Sequence, residues 1–286
     1  MRASTVARAG DFPSISRSKS PDPRGTPLMR KVASELQSAV PLYLTVPLTA
    51  SMLQDEGFRT QLLNWITGFP EISGVYVLVN DERRTKQIQS SDFIFAYMEF
   101  LHQLRESGLH VVAGHLNSES VVLSIVDDIT LTFGSFENTR IFSLDKFLES
   151  DEERRAPKSR IYLPALLNWI QFDQAKQIRS DAPELWSRIY TPTKYSEQVF
   201  GRDAEPYFNQ PDLYKHHFVC MDAQLKALGG KPPKERFTLI RDHIRQGLRY
   251  YQAIEDMPLD LDMHGAGGHL QPWLAALNKF SRAHLQ

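Results

Sequence analysis

The sequence has a single cysteine, Cys220, among its 286 residues. One thiol cannot form a disulfide within the chain, which suits a reducing compartment and predicts a cytoplasmic location. No apolar run approaches the roughly 18 residues that a membrane-spanning helix needs. The N-terminal residues also lack the apolar stretch of a secretory signal peptide. We therefore expect a soluble protein that has no membrane partner.

The sequence also lacks an excess of charge of either sign, since 33 basic residues face 34 acidic ones and the formal net charge is −1. A balanced charge provides no general electrostatic attraction to nucleic acids or to membranes. Hydrophobic residues make up 42% of the chain, which is enough for a sizeable core. The length predicts one large domain or two smaller ones.

Several motifs with a well-understood chemistry are absent. The chain has no G-x-G-x-x-G, no P-loop, no G-x-S-x-G and no H-E-x-x-H, which argues against dinucleotide enzymes, P-loop nucleotidases, serine hydrolases and zinc proteases. The glycine-rich segment 265–268 lacks the context of a phosphate-binding loop and is predicted to be a plain loop. His216, His217 and Cys220 come nearest to a metal site, but zinc needs three or four ligands and no second cluster accompanies them. We therefore predict no metal site, and the sequence identifies no cofactor.

The first 30 residues differ from the rest of the chain because they are rich in serine, proline and arginine. Such a segment buries little apolar surface and is predicted to be disordered. It is either a basic arm for RNA, DNA or a targeting receptor, or a solvated tail, or sequence upstream of a start at Met29. After it we predict an α/β domain over residues 40–190 and a helical C-terminal region over residues 191–286.

Apolar runs alternate with helical patterns between residues 40 and 170. The predicted strands are 42–48, 74–79, 109–113, 128–133 and 160–167, the last of them weakened by Pro164. Strands that are joined by helical crossovers are normally parallel. The sequence therefore predicts an α/β fold of repeated strand–helix units, with a parallel sheet that resembles part of a (β/α) TIM-like barrel. A closed barrel has eight strands, so five leave an incomplete barrel, an open sheet or hidden strands as alternatives.

Polar residues follow the predicted strands, at the edge where sites form in parallel α/β folds. Glu137 is the best single candidate for a catalytic acid, base or nucleophile, because a carboxylate just beyond an apolar strand can be held rigidly and partly desolvated. Asp81, with Glu82, supplies a candidate second carboxylate, and glycoside cleavage requires such a pair. His115 is a candidate general base or ligand for a phosphate or metal.

Other residues at these strand ends are candidates for substrate binding. They are Asn80, Asn117, Asn138, Arg140 and Trp169. The alternative is that these side chains belong to solvated loops, to an ion pair between Glu137 and Arg140, or to the core. Ser118 and Glu119 are typical of the start of a helix rather than of catalysis.

Three functions are compatible with these patterns. The first is a hydrolase or transferase that acts on a small glycosyl- or nucleotide-like substrate. The second is a non-catalytic subunit or scaffold that binds a protein partner through its helical C-terminal region. The third and weakest is nucleic-acid binding through the basic tail and through Arg83, Arg84 and Lys86. A second copy of the chain is a further candidate partner.

Overall fold

The computed structural model describes residues 41–81, 83, 85–135, 139–144 and 158–285. Four strands of these residues form a parallel sheet, in which the order of the strands is their order along the chain. They are β1 (Leu42–Thr49), β2 (Ile72–Asn80), β3 (His110–Ala113) and β4 (Ile129–Leu131). The prediction of an α/β fold with a parallel sheet is therefore confirmed. The described strands close no barrel, so the TIM-like architecture is not confirmed.

The composition of each strand explains its place in the sheet. Central strand β2 is apolar and β-branched, and its Val75 and Val77 are fully buried, as expected for a strand that is covered on both faces. Strand β1 lies at one edge of the sheet and contains Pro47 opposite Leu78. An edge strand tolerates proline because one row of its backbone groups has no partner strand.

Helices connect the parallel strands, and side chains cap the first three of them. They are α1 (Ala50–Gln54), α2 (Glu56–Thr67), α3 (Ser91–Glu106) and the single turn α4 (Ser120–Leu123). The Asp55 carboxylate accepts a hydrogen bond from the amide of Phe58 at 3.0 Å and so starts α2. The Ser90 side chain caps α3 in the same way, by accepting a hydrogen bond from the amide of Phe93. Helix α1 was not predicted, because five residues are too few to show a helical period.

The predicted fifth strand, 160–167, is wrong in its length and in its partner. Strand β5 (Arg160–Leu163) ends where a 3-10 turn begins at Pro164, and Leu167 then adopts a left-handed conformation with φ of 50°. The chain reverses there, and β6 (Asn168–Gln171) pairs with β5 in a separate antiparallel sheet. Proline breaks the strand because its nitrogen cannot donate to a ladder.

The remainder of the described chain is helical, as the sequence predicts. The helices are α5 (Phe172–Asp181), α6 (Pro183–Ile189), α7 (Lys194–Phe200), α8 (Pro211–Leu228), α9 (Pro233–Glu255) and α10 (Leu270–His284). Their buried side chains join those of the parallel sheet in one hydrophobic core. Trp273 of α10 is fully buried and donates its indole N–H to the carbonyl of Ile88 at 2.8 Å. Within the described ranges, no helix combines the length and the apolar character needed to cross a lipid bilayer.

Asn168 joins three distant parts of the chain at the start of β6. Its side chain is fully buried, and its Oδ1 accepts a hydrogen bond from Gln87 at 3.0 Å. Its Nδ2 lies 3.0 Å from the hydroxyl of Tyr251 and 3.1 Å from the carbonyl of Gly265, within donating distance of both. The Asn168 side chain thus anchors the glycine-rich loop at its buried residue Gly265, and the ring of Tyr251 packs against Gly267.

We expect Asn168→Leu to lower the free energy of unfolding by about 2–4 kcal/mol, because each buried polar group left unpaired costs about 1–3 kcal/mol. Urea denaturation followed by tryptophan fluorescence measures the change. Asn64→Leu is the matched control, since Asn64 lies on the exposed face of α2, where such changes stay within about 0.5 kcal/mol. Equal stability of the two variants would show that the Asn168 network contributes nothing to folding.

Candidate functional site

Two carboxylates share one guanidinium at the carboxyl edge of the parallel sheet. Asp81 follows directly after β2, and its Oδ1 accepts a hydrogen bond from Nε of Arg83 at 2.6 Å. Glu119 ends the segment between β3 and α4, and its Oε1 lies 3.4 Å from Nη1 of the same arginine. We call these three residues the carboxylate–arginine triad. Its side chains are only 5% (Asp81), 9% (Arg83) and 1% (Glu119) exposed.

Burial and charge act in opposite directions on the triad. Burial raises the pKa of Glu119, because removal from water disfavours the carboxylate, while the charge of Arg83 partly opposes the shift. Burial also disfavours the charged form of Arg83, but Glu119 and Asp81 outweigh it, so the pKa of Arg83 is raised. The triad therefore combines a fixed cation with a carboxyl group, Glu119, whose protonated form is favoured more than in water.

Tyr97 of α3 lies close to the triad and adds a further polar group. Burial raises the pKa of its phenol, and the charge of Glu119 adds to the shift. The Tyr97 hydroxyl is buried and makes no hydrogen bond, and neither does Oε2 of Glu119. Unpaired polar atoms are costly in a protein interior, and they are typical of functional sites.

A chain of polar contacts connects the triad to Trp169. The carbonyl of Lys86 accepts from Nη1 of Arg83 at 3.3 Å and from Nδ2 of Asn117 at 3.2 Å. The Oδ1 of Asn117 in turn accepts from the indole N–H of Trp169 at 3.0 Å. The guanidinium of Arg140 lies over the Trp169 ring, 3.9 Å from its centre. Asn117, Trp169 and Arg140 are all at least 97% buried.

Four of the predicted site residues therefore belong to one network, namely Asp81, Asn117, Trp169 and Arg140. Asn80, at the end of β2, is buried. His115 has a positive φ of 56°, and its ring packs edge-on against Phe142. Glu137 and Asn138 lie outside the described residues, as do Glu82 and Arg84.

A cleft of about 320 Å³ lies beside the triad. Polar residues line most of it, and they are Gln54, Asp81, Arg83, Thr85, Gln87, Gln89 and Ser90. Ile88 and Phe93 supply apolar surface. A second cavity of about 430 Å³, lined by Phe237 of α9 and by Ala275 and Asn278 of α10, has no residue in common with the triad.

Comparison with known proteins identifies no family for this chain. No protein-family model matches it, and neither a curated protein nor a solved structure does. Function must therefore be argued from the side chains themselves.

The sequence analysis missed two members of the triad. Glu119 was interpreted as a residue of a helix start, yet it makes no side-chain cap for α4, because its carboxylate contacts Arg83 instead. Arg83 was assigned to a basic surface loop, but it is buried in an ion pair, and Lys86 is buried as well. One signal for Glu119 was present in the sequence, because the apolar run Val121–Leu123 follows it, and the helix that contains this run is buried.

The two histidines of α8, His216 and His217, are buried and contact other residues of the protein core. His216 places Nε2 2.8 Å from the carbonyl of Tyr162 and Nδ1 3.0 Å from the hydroxyl of Thr193, so both ring nitrogens are engaged. Cys220 lies 3.7 Å from the same ring. Groups of three or more metal-ligating side chains do not occur in the described part of the chain.

Proposed function

We propose that this protein is an enzyme that performs acid–base chemistry at the carboxyl edge of its parallel sheet, on a polar glycosyl- or nucleotide-like substrate. The observation that carries the proposal is the position of Asp81, a carboxylate held by Arg83 at the wall of a cleft. A buried arginine keeps such a carboxylate in a fixed orientation, which general acid–base catalysis requires.

The roles of the other residues follow from their surroundings. Glu119 does not line the cleft, so we assign it a positioning role, in which it competes with Asp81 for Arg83. Glu137 is our candidate for the second carboxylate that glycosyl transfer needs, and Asn138 would bind substrate beside it. His115 would assist in proton transfer.

Three of the residues predicted to bind substrate, Asn117, Trp169 and Arg140, have a supporting role instead. Both polar atoms of the Asn117 amide are used within the protein, on Lys86 and on Trp169. Trp169 is covered by the guanidinium of Arg140. These contacts fix the segments that carry Asp81 and Glu119, so substrate binding by the three would need this stack to open. Asn80 would orient Asp81, its neighbour in the chain.

We expect Asp81→Asn to reduce turnover at least about 100-fold, the usual contribution of a general acid or base. The assay follows release from a panel of 4-nitrophenyl glycosides and nucleosides at pH 5–8. Asp222→Asn is the control, because Asp222 is an exposed carboxylate that pairs with Lys226 on α8. If the two variants turn over substrate equally well, Asp81 has no catalytic role.

A non-catalytic scaffold is the second candidate. The aromatic side chains of Tyr207 and Phe208, between α7 and α8, are 58% and 45% exposed. Exposed neighbouring aromatics are enriched at protein interfaces. A wild-type protein without any turnover, recovered in a stable complex that depends on this pair, would favour the scaffold over the enzyme.

A further inference from the structure

Several side chains that can accept hydrogen bonds line the cleft, but positive charge is scarce there. Arg83 is the only lysine or arginine among the described residues that line it. Its Nε is directed at Asp81, and its Nη1 lies within reach of Glu119 and of the Lys86 carbonyl. Two carboxylates thus surround one guanidinium, which leaves no excess of positive charge for an anion.

A second, independent observation concerns Gln87. This side chain lines the cleft, is only 2% exposed and uses its amide nitrogen to donate to Asn168 at 3.0 Å. Its Oε1 is buried and makes no hydrogen bond. A buried amide oxygen without a partner costs free energy, and a ligand that carries a hydrogen-bond donor would remove that cost.

The rest of the lining matches the same chemistry. Thr85 fixes the loop by donating its hydroxyl to the carbonyl of Gln87 at 2.6 Å. Gln54 and Gln89 are exposed at the rim and offer amide groups that both donate and accept. Carboxylate and amide oxygens above an apolar floor of Ile88 and Phe93 suit a ring that bears several hydroxyls.

From these observations we infer that the cleft binds a neutral sugar ring, as in a glycoside or a nucleoside, and discriminates against its phosphorylated counterpart. The inference rests on the proposed function and narrows its substrate class. A phosphate would meet the charge of Asp81, while Arg83, the one cation among the described residues of the lining, is already paired with two carboxylates, so the like charges would repel each other. The hydroxyls of a neutral sugar would donate to Asp81 and to Gln87.

The test compares matched pairs of probes with the wild-type protein, by calorimetric titration and by thermal shift. The pairs are adenosine with adenosine 5′-monophosphate, and glucose with glucose 6-phosphate. We expect the neutral member of at least one pair to bind about tenfold more tightly, which corresponds to about 1.4 kcal/mol. Gln87→Leu should weaken that binding. Because Gln87 also contacts Asn168, Gln54→Ala at the rim provides a second variant, and Gln61→Ala on the exposed face of α2 is its control.

The outcomes separate this inference from the proposed function. Equal or tighter binding of the phosphorylated members would overturn the inference, as would the absence of binding in both pairs, or equal binding by the Gln54→Ala and Gln61→Ala proteins. None of these results concerns catalysis, which is judged by the turnover of the Asp81→Asn protein. If the protein prefers the neutral probe of a pair but shows no turnover that depends on Asp81, the inference is supported and the proposed enzymatic function is refuted.

Discussion

Lowering the pH from 7 to 5 should reduce the free energy of unfolding by about 2 kcal/mol or more, the contribution of one fully buried neutral histidine or several. Burial lowers the pKa of His216, His217 and His269, in the last case to about 3. Below the ordinary histidine pKa of about 6.5, the unfolded chain takes up protons that these buried rings do not. Stability is then lost as the pH falls, by up to about 1.4 kcal/mol per pH unit for each ring. The raised pKa of Glu119 has the opposite effect on stability, because this side chain binds a proton more readily in the folded state, but Glu119 is only one group.

The contribution of one ring can be isolated at His217. Neither of its nitrogens makes a hydrogen bond, and it packs 4.6 Å from Trp169 and 4.9 Å from Tyr162 between ring centres. His217→Phe should therefore keep the packing and reduce the pH dependence without abolishing it, because burial also lowers the pKa of His216, His243 and His269. His110→Phe, at an exposed position, is the control. Urea denaturation at pH 7, 6 and 5 measures both, and a pH dependence unchanged by His217→Phe would contradict this account.

Arg83→Met should lower the free energy of unfolding by about 3–5 kcal/mol at pH 7. The change leaves the carboxylates of Asp81 and Glu119 buried without their cation, and an uncompensated buried charge is costly. The loss should shrink as the pH falls, because burial raises the pKa of Glu119 and protonation removes its buried charge. Glu119→Gln should cost less than Arg83→Met, since it leaves Arg83 paired with Asp81.

Arg202→Met is the matched control for this experiment. Arg202 pairs with Asp212 at 3.0 Å, but 48% of its side chain is exposed, and exposed ion pairs contribute about 1 kcal/mol or less. Thermal and urea unfolding of the three variants give the comparison. A similar small loss for Arg83→Met and Arg202→Met would mean that the triad is solvated in solution, and the case for a preorganised site would end.

Much of the secondary structure could be predicted from local pattern. The predicted strand 74–79 lies within β2, and the predicted helical region 191–286 contains α8, α9 and α10. These patterns are reliable because a buried face repeats every two residues in a strand and every 3.6 in a helix. The elements that were missed are short. Lys194–Phe200 and Ala50–Gln54 have one or two turns each, which is too little for a period to be visible.

The site could be predicted only in part. The carboxyl ends of parallel strands meet at one edge, and this rule led to Asp81 and Asn117. It could not assign Arg83 or Glu119, because a charged loop residue has the same sequence signature whether it is solvated or ion-paired. Arg83 and Glu119 are 36 positions apart, and Asn117 and Trp169 are 52 apart. No local pattern contains such pairs.

The sequence by itself determined the alternation of strands and helices and the helical C-terminal region. These features depend on backbone chemistry and on the spacing of apolar residues along a few turns. Only the tertiary structure decided that β5 pairs with β6 instead of extending the parallel sheet, and that two carboxylates meet one buried arginine. Those outcomes depend on which polar groups are buried next to each other. That pairing is a property of the packed chain as a whole.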